Sequence, residues 1–274
     1  MKSNILKSLT ALLVLMFAFT ANTYSQSASV KSSSSKLTKK VLIVLSAADT
    51  WTRADGSKYP TGYWTEEFVD VHKEFVDAGY KVDISTPGAK KPTADPKSLE
   101  VSTLGAEKAV AFAKYLKSLS TTLSNPLELA KINMDDYDAV IVPGGHGPVE
   151  DLYKDKDMGK VLFAADKSKK IIGAVCHGQA AFLSAVDSKG NWLFKGRNMT
   201  SFSDSEEIEF GTANNAPWLL ASTLRKYGAN YTCGAKNWGN YVMVDSNLIT
   251  GQNPASSIPM AKAIIEVLNK KQQL

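Results

Sequence analysis

Ile171-Ile172-Gly173-Ala174-Val175-Cys176-His177-Gly178-Gln179-Ala180-Ala181-Phe182 is the stretch that decides how this chain folds. An apolar run ends at Val175, and small and apolar residues resume after His177 at helical spacing. The pattern predicts a buried strand stopping at Val175 and a helix starting at once, with Cys176 on the sharp bend between them. In an open α/β sheet such a bend lies at the carboxyl edge of the strands, where ligands bind. Helix-terminal N–H groups aimed at the sulfur are expected to favour its thiolate. The plainer alternative is a buried structural cysteine beside a loop histidine.

The flanking sequence repeats the same grammar. Residues 41–45 are a continuous aliphatic run, as in a parallel strand covered on both faces. Residues 46–62 read as a polar loop. Residues 64–78 carry Trp64, Phe68, Val71, Phe75 and Val76 on one helical stripe, and Gly79 ends it. A strand over 80–85 completes a βαβ unit. Residues 138–142 predict another buried strand, ending in Pro143-Gly144-Gly145-His146-Gly147. Glycines there let backbone amides approach an oxyanion, and no downstream Gly-Lys-Ser/Thr supports phosphate binding. Helices are expected over 106–119, 126–132, 157–168, 216–227 and 254–268, and strands over 197–202, 230–235, 241–245 and 248–250. No break interrupts the alternation, so residues 41–270 form one α/β domain. The expected fold is a three-layer, flavodoxin-like sandwich, with a mostly parallel sheet between helices.

The chain has 274 residues, 44% hydrophobic and 22% charged, enough for a substantial core. In residues 1–25, Lys2 and Lys7 precede an apolar run and small residues follow, the pattern of a secretory signal peptide. Its removal lowers the formal charge from +5 to +3, which is no nucleic-acid footprint. Residues 26–40, rich in Ser and Lys, read as a flexible lead-in. The expected product is exported, periplasmic or secreted, with no stable membrane span once the leader is removed. Of the two cysteines, Cys233 falls in a predicted strand, and pairing it with Cys176 would consume the candidate nucleophile. No disulfide is expected.

Three histidines, His72, His146 and His177, restrict the chemistry. No Cys/His pairs stand at zinc-ligand spacing, so neither metal nor cofactor is expected. His72 reads as a surface or helix-packing residue. His177, next to Cys176, can serve as its base. His146 can line the same mouth if the two strands are neighbours. Glu66 and Glu67 open the first helix at the same edge, and spacing alone does not choose between them. A carboxyl held against the thiol would have a raised pKa and could carry a proton.

The chain resembles the ThiJ/PfpI superfamily, the class I glutamine-amidotransferase-like fold, in its glyoxalase III-like and stress-chaperone branch. The resemblance rests on Thr61-Gly62-Tyr63-Trp64 before Glu66-Glu67, Ala78-Gly79-Tyr80, Pro143 to Gly147, Ala174 to Gly178, and Leu248 to Ser256, across residues 41–268. It implies Cys176 as nucleophile, His177 as its partner, Glu67 as the buried glutamate beside the thiol, and Glu207, with Glu206 as the alternative, as the third polar member. It also implies an oxyanion pocket from Gly144, Gly145 and His146, with the Gly145 and His177 amides as donors, and a homodimer. Relatives often have His-Pro where this chain has Asp70-Val71, and Pro at Gln179. No histidine follows His177, which disfavours amidotransfer. The implied activity is cofactor-independent conversion of methylglyoxal to lactate. Its alternatives are a cysteine hydrolase acting on peptides or glycated adducts, and a non-catalytic holding chaperone. The expected partner is a small aldehyde or a modified protein.

Overall fold

The computed structural model describes residues 39–270. The predicted leader, and most of the predicted lead-in, lie outside the described residues. The strands that matter here are β1 (Lys40–Val44), β2 (Lys81–Thr86), β3 (Leu127–Glu128), β4 (Ala139–Val142), β5 (Ile171–Val175), β6 (Val242–Asp245) and β7 (Leu248–Gly251). They form one sheet in the order β6-β7-β5-β4-β1-β2-β3. All neighbours are parallel except β6 and β7, so the mostly parallel sandwich is found with one antiparallel edge. The order β2-β1-β4-β5-β7 is the flavodoxin-like one, which turns both ways from the centre and leaves a crevice at the carboxyl ends.

Alternation along the strands builds two cores. Val41, Ile43 and Ile141 face one side with Phe68 and Phe75 of α1 (Thr65–Asp77), Phe112 of α2 (Ala106–Ser118) and Ile264 of α6 (Ser257–Lys270). Leu42, Val44, Val140 and Ile172 face the other, with Val161 and Leu162 of α3 (Lys156–Lys167) and Leu224 of α5 (Leu220–Tyr227). Fully burying Phe68 or Phe75 stabilises the fold by roughly 1.5–3 kcal/mol each. α4 (Asp204–Phe210) buries only Glu206 and Glu207, so its inward side is ionisable rather than apolar.

Several local expectations are corrected. Residues 126–132 supply the short edge strand β3 and a 3₁₀ turn instead of a helix, because Leu127 and Glu128 find backbone partners beside β2. The loop over 46–62 contains a small hairpin, Thr50–Thr52 against Lys58–Pro60, with Trp51 buried. The predicted strands over 197–202 and 230–235 shrink to Asn198–Met199 pairing Asn230–Tyr231, which leaves Cys233 exposed and outside a strand. α5 begins at Leu220, four residues later than predicted, after a 3₁₀ turn over Ala213–Asn215. The stretch after Cys176 is a 3₁₀ helix, Gly178–Ser184, in place of an α-helix.

Candidate active site

The bend at Cys176 is set by register. Val142 of β4 lies beside Ala174 of β5, so the chain leaves both strands at the same height and two tight loops meet. Cys176 adopts a left-handed backbone with φ 62°, a conformation strained for a side chain. It is held by its N–H to Gly251 O at 3.0 Å and by its carbonyl accepting from Phe202 N at 2.9 Å. Gly178 is obligatory here, because a Cβ would lie 2.0 Å from the Val142 carbonyl oxygen. Gln179 ties the floor together: its Nε2 donates to the carbonyls of Ala174, Thr200 and Gly251 at 3.1, 2.8 and 2.9 Å.

Of the paired glutamates, Glu66 bonds Lys108 at the surface at 2.6 Å, whereas Glu67 is fully buried. Glu67 Oε2 accepts from the Gly144 N–H at 2.6 Å, and Oε1 has no hydrogen-bond partner among the described residues. Burial pushes the Glu67 carboxyl up to about 8, against the pull of the Cys176 thiol and the Gly144 amide. Burial likewise pushes the Cys176 thiol well above its ordinary value, and negative charge on Glu67 pushes it further; the His177 backbone N–H works the other way. The expected helix-terminus stabilisation of the thiolate is therefore outweighed by desolvation. Both shifts favour the neutral forms, and negative charge on either group opposes ionisation of the other, so the two titrations are coupled.

On its other side the thiol meets His177, with Sγ 3.4 Å from Nδ1. His177 Nε2 is 2.6 Å from Glu207 Oε2, and His146 Nε2 is 2.8 Å from Glu207 Oε1. The Thr212 hydroxyl donates to the same Oε1. Burial opposes charge on Glu207, but the charge and hydrogen bonds of the two imidazoles hold its carboxyl well below the usual range. Burial also pushes His177 below its ordinary value, against the pull of Glu207. An ionised carboxylate can only accept, so both imidazoles present Nε2–H to it, and Nδ1 of His177 is left as an acceptor facing the sulfur. Glu207 is thus the acid that meets His177. Glu206 instead closes a capping box with Ser203 and accepts from Trp238 N at 2.9 Å and Asn253 Nδ2 at 2.7 Å.

The structure brings Cys176, His177, Glu67, Glu207 and His146 into one cluster. Gly144 spends its amide on Glu67. The Gly145 N–H has no acceptor among the described residues, which leaves it for an incoming oxygen. The thiol opens on a small cavity lined by Trp64, Gly145, His146, Cys176, His177, Phe202, Phe210, Trp238 and Pro254. Sequence reasoning missed Trp51, which stacks on His146 at 4.6 Å, and Thr212, and it missed the aromatic wall. Only Trp64 stood in a motif; Phe210 ends α4, and the others come from loops whose convergence carries no periodic signal.

His146, His177 and Glu207 offer ligand atoms within 4.8 Å of one another. Their contacts of 2.6 and 2.8 Å are those of donors to an acceptor. Two ligands at zinc bond lengths in a tetrahedron stand about 3.3 Å apart. The arrangement is that of two imidazole donors on one carboxylate. His72, expected to pack or face solvent, is buried between helices with Nδ1 2.9 Å from the Tyr115 hydroxyl, far from this chemistry in role.

The chain is 30% identical over 236 residues to the glutathione-independent glyoxalase HSP31 of Saccharomyces cerevisiae, covering 84% of this chain and 98% of that one. It is 28% identical over 242 residues to the protein/nucleic acid deglycase HchA of Staphylococcus aureus, covering 84% and 80%. Among solved structures, glyoxalase III from Candida albicans superposes with a TM-score of 0.72 at 27% identity, covering 83% of this chain and 96% of that one. The 24 kDa rapid encystment protein of Francisella tularensis gives 0.75 at 30%, covering 84% and 99%. The pattern of the DJ-1/PfpI family matches residues 59–267, and the chain belongs to that family.

Proposed function

We propose that this protein performs glyoxalase/deglycase-type chemistry on a 2-oxoaldehyde, either free or as its adduct with an amine or thiol, through a covalent adduct on Cys176. The observation that carries the reading is a buried thiol flanked by two proton carriers, Glu67 and His177, in a small cavity walled by aromatic rings. His177 Nδ1 takes the thiol proton, and sulfur adds to the aldehyde carbon. The Glu67 carboxyl protonates the resulting oxygen, which the Gly145 N–H also meets. Glu67, now a carboxylate, removes the hydrogen from the same carbon as His177 protonates the neighbouring oxygen, giving an enediol. Return of the proton from Glu67 to the second carbon, with loss of the first hydroxyl's proton to His177, leaves a thioester. Water hydrolyses it to the 2-hydroxy acid and restores the thiol, and the proton left on His177 returns to Glu67, so both groups end as they began. Glu207 keeps His177 in the required tautomer throughout.

With an amine adduct, sulfur displaces the amine and the same thiohemiacetal forms. This hydrolytic arm is supported by relatives named deglycases that match 84% of this chain. The test measures lactate from free methylglyoxal and from its preformed adduct with N-acetyl-lysine, in the wild type, Cys176→Ala and Glu67→Gln. Lactate from the adduct faster than the adduct dissociates identifies deglycation, whereas lactate limited by dissociation identifies action on the free aldehyde. Cys176→Ala is expected to abolish both and Glu67→Gln to lower kcat by about 10²–10⁴. Unchanged rates in both variants sink the mechanism, and an unaffected holding activity would then favour a chaperone. Export is part of the same proposal, resting on residues 1–25, and cell fractionation tests it.

A further inference from the structure

The wall of the cavity includes a residue whose polar group the mechanism above leaves unused. Trp64 lines the cavity and is only 8% exposed, yet its indole Nε1–H has no acceptor among the described residues. Buried indole N–H groups usually find a partner, and leaving one without costs roughly 1–3 kcal/mol. A phenylalanine would keep the ring's edge contact with Phe210, at 5.9 Å, without that cost. Trp64 is also well anchored: its backbone N–H donates to Gly144 O at 2.9 Å, and it is the N-cap of the helix that carries Glu67. Much of the remaining wall, from Phe202, Phe210 and Pro254, is carbon.

We propose that Trp64 is a substrate-binding residue whose indole N–H donates to the ketone oxygen adjacent to the carbon that Cys176 attacks, making the cavity selective for vicinal dicarbonyls over simple aldehydes. The inference rests on the Cys176 adduct proposed above. Gly145 N–H meets the oxygen of the attacked carbon, and Trp64 meets its neighbour. A simple aldehyde satisfies only the first and leaves the indole N–H buried without a partner, the kind of mismatch by which polar sites reject analogues.

The experiment reads adduct formation instead of turnover. Alkylation of Cys176 in the full chain by iodoacetamide is followed in the presence of methylglyoxal or propanal, which share three carbons and differ at the ketone. Each half-protecting concentration is divided by that aldehyde's adduct equilibrium with N-acetylcysteine, which removes intrinsic electrophilicity. The wild type is expected to prefer methylglyoxal by about tenfold after this correction, the size of one buried hydrogen bond. Trp64→Phe is expected to lose that preference, its corrected methylglyoxal value falling into line with its corrected propanal value. A preference retained in Trp64→Phe overturns the inference, as does its absence from the wild type, an outcome that needs no folded variant. Protection without lactate would sink the proposed turnover and leave the indole contact standing.

Discussion

Glu67 is the residue where burial does most to set chemistry. Its carboxyl is raised from 4.5 to about 8 because the folded chain removes it from water. The stabilising contribution of a group raised in this way is complete below its unfolded value and is lost as pH rises through the folded one. Relative to Glu67→Gln, the wild type should therefore lose on the order of 3 kcal/mol between pH 5 and pH 9, read by urea unfolding at both. A difference that does not change with pH contradicts the assignment. Glu207 has the opposite sign: its lowered carboxyl contributes above its unfolded value, and the contribution fades as pH falls. Glu207→Gln should cost about 2–4 kcal/mol at pH 7 and much less at pH 3, because it leaves two buried imidazole N–H groups competing for one amide oxygen. Equal costs at the two pH values would remove the ionised carboxylate from the account.

At the scale of elements, two loops, the start of α1 with Glu67 and the short helix α4 build the site. The loop after β4 supplies Gly144, Gly145 and His146, the bend after β5 supplies Cys176 and His177, and α4 lowers Glu207 onto both histidines. The bend tolerates no added atom at Gly178, where the nearest neighbour is rigid backbone. Gly178→Ala should destabilise the protein by more than about 3 kcal/mol or prevent folding, checked by its urea midpoint and soluble yield. A midpoint near that of the wild type would mean that the two loops are less tightly apposed. Gln179 offers a milder probe of the same junction. Replacing it with Leu removes three hydrogen bonds to carbonyls and should cost about 2–3 kcal/mol.

For the molecule as a whole, the site is drawn from four stretches far apart in sequence, and only a correctly ordered sheet brings them together. β4 and β5 are neighbours, with β1 and then α1 following on, so three loops open at one carboxyl edge. Covalent cross-links play no part: Cys176 and Cys233 are both free, one buried and one exposed. The melting temperature should accordingly be unmoved by reductant, and a fall of several degrees with dithiothreitol would reveal a disulfide. Among the described residues no helix is long and apolar enough to cross a membrane.

What the sequence determined by itself is what depends on local pattern. Aliphatic runs, the α1 stripe and glycine punctuation specify a doubly wound α/β domain, and the bend at Cys176 follows from strand and small-residue spacing. Spacing could not choose between Glu66 and Glu67, because both are good first-turn residues and differ only in what packs above them. The resemblance chose Glu67, and burial explains the choice. Glu206 and Glu207 are likewise adjacent and both buried, yet one caps its own helix and the other reaches two histidines. The expected thiolate stabilisation failed for a related reason: a helix terminus can be read from sequence, but the desolvation that outweighs it is a property of the assembled core. The aromatic wall and the indole N–H of Trp64 arose in the same way. Which side chains share a cavity depends on contacts across the fold, and those are decided only when the loops close over the sheet.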